Sequence, residues 1–306
     1  MARVVCTPGR ALCAGGDGHR RVGGVGTMWL WLLAGLAFLL LGAFLYWALI
    51  ITEGAYLGAR TVAWTYDLTA RRYDDIKQFN PQDDAWLLAG PLLRALRDVD
   101  CPLVLDVATG TGRLPLALLD RPSFRGTVIG LDLSRKMLHQ ARGKMLAHAG
   151  RYALLWRDAQ HLPFPDGTFD AVCCLEALEF MPSPGRVLDE MVRVLRPGGV
   201  MVITNRINWE GKLMPGKAFT ADQLRAMLGE IGMAQVEFRP WQVYYDLIWA
   251  RRGGVPSRLG YGTREVGEIL RCPRCGHAPL EERSGHLGCP ACGQTYPFER
   301  DVVHMA

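Results

Sequence analysis

Net basic charge is scarce in this chain outside its amino-terminal tail. Of the formal +5 on 306 residues, three charges belong to residues 1–27, where Arg3, Arg10, Arg20 and Arg21 stand against Asp17 alone. From 270 onward, Arg271, Arg274, Arg283 and Arg300 are balanced by Glu281, Glu282, Glu299 and Asp301. Without a basic face there is no footprint for a phosphate backbone, which weighs against a nucleic-acid partner. A disulfide framework is missing too. Nine cysteines is an odd number, and four of them sit in two tight C-x-x-C pairs, a usage that suits metal thiolates in a reducing compartment. The histidines show no metal-ligand spacing, and His139, His148 and His161 are read as surface residues. At this length the chain can bury one core of ~200 residues and carry smaller attachments.

Residues 28–51 contain no charged residue at all. As a helix they reach ~36 Å against a hydrocarbon thickness of ~30 Å, enough to span a bilayer with some tilt. Trp29 and Trp31 at one end and Tyr46 and Trp47 at the other match interfacial aromatic belts. Flanking charge does not orient the helix, because Arg20 and Arg21 precede it and Arg60, Arg71 and Arg72 follow it. Residues 1–27, Gly- and Arg-rich without periodicity, are expected to be a disordered tail, and Met28 is a candidate true start.

Beyond the helix, apolar runs at 103–108, 127–131, 152–156, 169–174 and 199–204 alternate with helical patterns, the signature of a βαβ series with a mostly parallel sheet. The stretch L-V-L-D-V-A-T-G-T-G-R-L (103–114) ends a strand and turns through Ala108, Thr109, Gly110 and Gly112 into a helix, where backbone can approach a ligand closely. A third glycine would complete a dinucleotide fingerprint, but Pro115 stands there. An acid at the strand end, Asp106, would repel a pyrophosphate and suits the ammonium of S-adenosylmethionine (SAM). Asp132, ending the second strand, is placed to accept from both ribose hydroxyls, a feature NAD enzymes share. In R-D-A-Q-H-L-P-F (157–164), Asp158 and Ala159 are candidates to bond the adenine edge, and Leu133 to cover its ring face.

Taken together, A-x-x-Y-D at Ala70–Asp74, L-D-V-A-T-G-T-G, G-L-D-L-S, D-A-x-x-L-P-F, F-D at 169–170 and V-L-R-P-G-G at 194–199 resemble the class I SAM-dependent methyltransferases, especially the ubiquinone/menaquinone C-methyltransferase group. The resemblance covers about 65–250. It implies an α/β, Rossmann-like, seven-stranded sheet whose last strand is antiparallel, with 235–249 supplying the final two strands. It also implies that Tyr73 covers the SAM site and touches SAM or the acceptor. Ala108 departs from the first glycine of many relatives. Methyl transfer is an in-line displacement and needs alignment more than a covalent residue. If a base is needed, the loop after the fourth strand offers Glu176 and Glu179, and Glu176 is the candidate, beside SAM.

At the carboxyl end, C-P-R-C-G (272–276) and C-P-A-C-G (289–293) give C-x2-C-x13-C-x2-C. Cys272, Cys275, Cys289 and Cys292 would close a tetrahedral zinc shell with no open position, a structural site that lets so short a segment fold. His277 and His286 are read as surface residues. The segment resembles small zinc-ribbon proteins that partner methyltransferases, and could hold a protein partner. The expected organisation is a tail (1–27), a transmembrane helix (28–52), a SAM-dependent methyltransferase domain (53–250), a linker (251–268) and a zinc ribbon (269–306). The expected function is methyl transfer to a membrane-associated lipid or quinone-like acceptor by a single-pass protein whose catalytic domain faces the cytoplasm. A protein or rRNA methyltransferase, a non-catalytic SAM-binding scaffold and an NAD-dependent oxidoreductase are the alternatives.

Overall fold

The computed structural model describes residues 23–255 and 262–305; residues 1–22 of the tail expected over 1–27 and 256–261 of the expected linker lie outside the described residues, while residues 23–27 of that tail are helical. The chain divides into two units, residues 1–46 and 47–306. In the first, Gly23–Tyr46 is one 24-residue helix. Among the described residues, one helix, Thr27–Ile51, is long and apolar enough to cross a bilayer, and only 6% of its most apolar 18-residue stretch is buried. Its last five residues, Trp47–Ile51, form a π-helical turn that belongs to the second unit.

The second unit is built on β1 (Leu103–Val107), β2 (Thr127–Asp132), β3 (Tyr152–Trp156), β4 (Phe169–Cys174), β5 (Leu195–Arg206), β6 (Met233–Trp241) and β7 (Tyr245–Arg252). Their order is β6-β7-β5-β4-β1-β2-β3. β1 to β5 pair in parallel, and β7 alone runs antiparallel to the rest, between β5 and β6. Every residue of β1 and β4 is buried, as expected of central parallel strands covered on both faces, which read as continuous apolar runs. The period of two sorts their side chains. Leu103, Leu105 and Val107 join one core, and Val104 joins the other. Helix Arg135–Met145 is capped by Ser134 Oγ accepting from Met137 N at 3.2 Å, and it buries Met137, Leu138, Ala141 and Met145 along one stripe.

The ribbon is not an appendage on a linker. Its strands β8 (Glu281–Arg283), β9 (His286–Gly288), β10 (Thr295–Glu299) and β11 (Val302–His304) form an antiparallel meander. β11 then pairs in parallel with β3, Val302 opposite Leu154, Val303 opposite Leu155 and His304 opposite Trp156, so the sheet runs through eleven strands. Met305 N donates to Trp156 O at 3.1 Å and Arg157 Nη1 to Met305 O at 2.6 Å. Ile269, Leu270, Leu280, Leu287, Tyr296, Val303 and Met305 belong to the same core as Leu105 and Leu131. An exposed edge at β3 would leave a row of unpaired backbone groups, and this pairing removes it. The sequence pattern alone did not show this join, because a three-residue strand carries too little periodicity to be read.

Candidate functional site

The turn after β1 is held from below. Asp106 is buried, and its Oδ2 accepts from Thr109 Oγ1 at 2.6 Å. Burial pushes its carboxyl up to about 7, against the pull of the Thr109 hydrogen bond. Asp106 does not line the cavity described below, and its Oδ2 is turned to Thr109 of the loop. Gly112 is likewise a packing glycine. With φ at +85° it starts helix Arg113–Leu119, and a Cβ there would meet the Ala141 Cβ at 3.2 Å. Ala108 takes a left-handed φ of +56° that L-residues other than glycine rarely adopt.

Above this turn opens a cavity of about 730 Å³, counting its mouth. Ala108 and Gly110 form one part of its wall, Asp132 and Leu133 from the end of β2 a second, and Asp158 and Ala159 after β3 a third. The strands that deliver these residues are adjacent and parallel, so their carboxyl ends converge at one edge. Asp132 joins two of these segments. Its Oδ2 accepts from Gly110 N at 2.8 Å and its Oδ1 from Ser134 N at 2.7 Å. Burial pushes its carboxyl up to about 6, opposed by these N–H donors. A carboxylate offers about four acceptor positions, so two remain for ligand hydroxyls. Asp158 is set by its own turn, accepting from Gln160 N at 2.9 Å, and Leu133 O accepts from Trp156 Nε1 at 2.8 Å.

The opposite wall is apolar and was missed in the sequence. Helix Ala59–Thr69 contributes Ala59, Val62, Ala63 and Tyr66, an i, i+3, i+4, i+7 stripe that would have marked it. Phe180, Met181 and Pro182 complete that side. The helix is tied to the site by Asp67, whose Oδ1 accepts from Ser134 Oγ at 2.5 Å. Tyr73 lines the cavity as well, 5.8 Å from the ring of Tyr66. Burial, with Glu176, Glu53 and Asp132 nearby, pushes the Tyr73 phenol well above its ordinary range, so it stays protonated at neutral pH.

Glu176 borders the same space but is occupied. Its Oε1 accepts from Arg113 Nη1 at 2.8 Å, Gln242 Nε2 at 3.2 Å and Trp241 Nε1 at 3.3 Å, and its Oε2 from Lys77 Nζ at 3.3 Å. Burial alone would raise its carboxyl, but Lys77 and Arg113 outweigh that and hold it below the usual range. A carboxylate so pinned is a poor proton acceptor, which weighs against Glu176 as a base. Arg113, which sequence reading passed over, organises this corner: it also binds Asp84 through Nε at 2.9 Å and Nη2 at 2.7 Å, with the Phe79 ring 4.1 Å away. Glu179 lies deeper, accepting from Tyr245 OH at 2.6 Å.

In the ribbon the Sγ atoms of Cys272, Cys275, Cys289 and Cys292 all lie within 4.8 Å of one another, with Cys272 3.7 Å from Cys292 and Cys275 3.5 Å from Cys289. Four thiolates at ~2.3 Å from a tetrahedral zinc stand ~3.8 Å apart, so the donor set fits that ion. Gly276 and Gly293, at φ +77° and +72°, turn each knuckle. Tyr296 OH lies 3.1 Å from Cys272 Sγ, a partner that would orient one thiolate. His277 and His286 are not part of the cluster.

A family model described as a methyltransferase domain matches residues 105–203, and one described as a Trm112p-like protein matches 264–300. Over 98 residues the chain is 42% identical to a demethylmenaquinone methyltransferase of Bacillus licheniformis, covering 32% of this chain and 42% of that protein. Over 105 residues it is 43% identical to a phosphatidylethanolamine N-methyltransferase of Cereibacter sphaeroides, covering 33% and 49%. A ubiquinone/menaquinone biosynthesis C-methyltransferase of Nitrosospira multiformis is 33% identical over 153 residues, covering 47% and 59%. The chain thus spans about half, or less, of the length of these relatives. Among solved structures, the [4+2]-cyclase SpnF superposes with a TM-score of 0.54 at 18% identity, covering 64% of this chain and 96% of that one. A Methanococcus maripaludis protein named for SAM-dependent methyl transfer gives 0.50 at 17% identity, covering 62% and 94%. These two show the fold alone. The chain carries a class I SAM-dependent methyltransferase domain, which implies SAM as its co-substrate, and a Trm112-like ribbon whose cysteines fit a structural zinc.

Proposed function

From that domain we propose that the protein transfers a methyl group from SAM to a membrane-associated lipid or quinone-like small molecule. The observation that carries the reading is the division of the cavity into a polar wall at the strand ends and an apolar wall from Val62, Ala63, Phe180, Met181 and Pro182. Asp132 would hold the ribose hydroxyls, Asp158 and Ala159 the adenine edge, and Leu133 its face, while Ala108, Thr109 and Gly110 give close backbone approach and Asp106 fixes the turn. Bound there, SAM supplies an activated methyl on a sulfonium. The chain's own share is to exclude water with the apolar wall and to align the acceptor against the methyl carbon. Tyr73, held protonated, donates a hydrogen bond and takes no proton.

Two of the relatives are named for a quinone, demethylmenaquinone, and for a lipid, phosphatidylethanolamine, which supports the same class here. The uncharged span Thr27–Ile51 supports a single-pass membrane protein. The unbridged thiols of the described cysteines support a catalytic unit on the reducing, cytoplasmic side. The outer ribbon hairpin, with Glu281, Glu282 and Arg283 exposed, is the face left for a protein partner.

Full-length protein reconstituted in vesicles is incubated with methyl-labelled SAM and a membrane lipid extract. Label is expected in the organic phase. Label confined to protein or RNA would overturn the acceptor class, and calorimetry showing NAD bound in preference to SAM would overturn the whole reading.

A further inference from the structure

The apolar span does not run out into free chain. Trp47 Nε1 donates to Leu213 O at 3.0 Å, and Tyr56 OH to Pro215 O at 2.8 Å. The Trp47 and Tyr56 rings stack at 5.1 Å. Residues 47–57 are thereby fastened to the loop that follows β5. The turn between β6 and β7 is fastened to the same loop, through Ile207 N to Tyr244 O at 2.8 Å and Asn208 Nδ2 to Val243 O at 2.6 Å. What these three segments turn outward is apolar: Ile50 is 61% exposed, Leu57 52%, Trp209 56% and Val243 70%, with Leu213 and Tyr244 beside them. Exposed large apolar side chains gathered in this way mark an interaction surface.

We propose that this surface sits in the headgroup layer of a phospholipid bilayer and holds the mouth of the cavity against it. The inference rests on the reading of residues 27–51 as a membrane span, and three observations favour lipid as the occupant. The surface begins within the last residues of that span, so the bilayer, if crossed, is within a few residues' reach. Its chemistry is that of an interfacial belt, with Trp209 and Tyr244 carrying a polar tip on an apolar body and Lys212 exposed among them. The nearby acid, Glu210, accepts from Arg206 Nε at 2.9 Å, which offsets its repulsion of anionic headgroups. The loop also reaches the site: buried Met214 packs with Phe180 and Val62, both cavity-lining residues. β5, which the loop follows, is parallel to β4, so surface and cavity share one end of the sheet.

A photoreactive benzoylphenylalanine is placed in the full-length chain at Trp209, and in a second variant at Glu282 on β8, at the other edge of the sheet. Both are reconstituted in vesicles of phosphatidylcholine and phosphatidylserine carrying labelled acyl chains. Irradiation is expected to attach lipid label at position 209 several-fold more than at position 282. Equal labelling, or a crosslinked dimer in place of lipid at 209, would overturn the proposal. Carbonate extraction of the same vesicles reports the span separately. A chain released by carbonate but labelled at 209 loses the span and keeps the docking surface, whereas a retained chain unlabelled at 209 loses the docking surface alone.

Discussion

Two carboxyls sit at the strand ends, Asp106 buried and Asp132 half-buried in the cavity wall, and desolvation pushes both upward, Asp106 to about 7 and Asp132 to about 6 from an ordinary 3.8. The sign for stability follows directly. Folded, each binds a proton more readily than unfolded, so their ionisation opposes folding as pH rises from about 4 toward those values. The sign for SAM is the reverse, since an ionised Asp132 is the better acceptor for ribose hydroxyls. Affinity measured by calorimetry is expected to fall as pH drops below about 6, by up to tenfold per unit, and Asp132→Asn should flatten that dependence while weakening binding ~10-fold or more. A profile that Asp132→Asn leaves unchanged would assign the proton elsewhere. Glu176 makes the opposite case. Pinned by four donors, it is expected to be dispensable for proton transfer, so Glu176→Gln should keep turnover within ~10-fold, where loss of a true base costs ~100- to 10,000-fold. Arg113→Ala should cost far more in stability, ~3–5 kcal/mol by chemical denaturation, because it strands Asp84, which is 4% exposed, and takes one of the four donors from Glu176. The sequence made Asp132, Asp158 and Leu133 legible through their spacing after strands. Arg113 was not legible, since its partners Asp84 and Glu176 lie 29 and 63 residues away in the chain.

At the scale of single elements, legibility tracked burial and length. β1 and β4 are apolar but for Asp106 and Asp170 because both faces are covered, and their limits follow from the runs themselves. β5 begins at Leu195, earlier than its apolar run, because Leu195 pairs with Phe169 before the register shifts toward Ala171. β11 escaped altogether. Three residues, Val302–His304, carry no period, yet they decide where the ribbon sits. Val303 is 1% exposed. An aspartate there would enter an apolar core without a partner and cost at least ~3 kcal/mol, which at ~2–4 °C per kcal/mol in a unit of this size lowers the melting temperature by roughly 6–12 °C. Glu282→Arg on the exposed outer hairpin should move it by less than ~2 °C. If the two variants melted alike by scanning fluorimetry, the β11–β3 pairing would carry no stability.

Across the whole molecule the join has a consequence for zinc. A ribbon folded on its own, as its knuckles suggested, would lose its structure on chelation and leave the enzyme intact. Here the ribbon's apolar residues and those of β1 and β2 form one core, so the two cannot unfold independently without exposing shared surface. The coupling also reaches the site. Arg157 borders the cavity, takes its backbone partner from Asp132 O at 3.1 Å and donates from its side chain to Met305 O at 2.6 Å. Trp156, paired with His304, donates to Leu133 O. The strand end that carries Asp158 and Ala159 is therefore held from the ribbon side. Structural zinc contributes ~10–16 kcal/mol to small thiolate domains, and part of that is expected to be felt by the whole second unit. Stripping the metal with a strong chelator should lower the melting temperature of one cooperative transition and weaken SAM binding together, and zinc added back should restore both. Two separate transitions, with SAM affinity unchanged, would mean that the ribbon and the enzyme are merely neighbours.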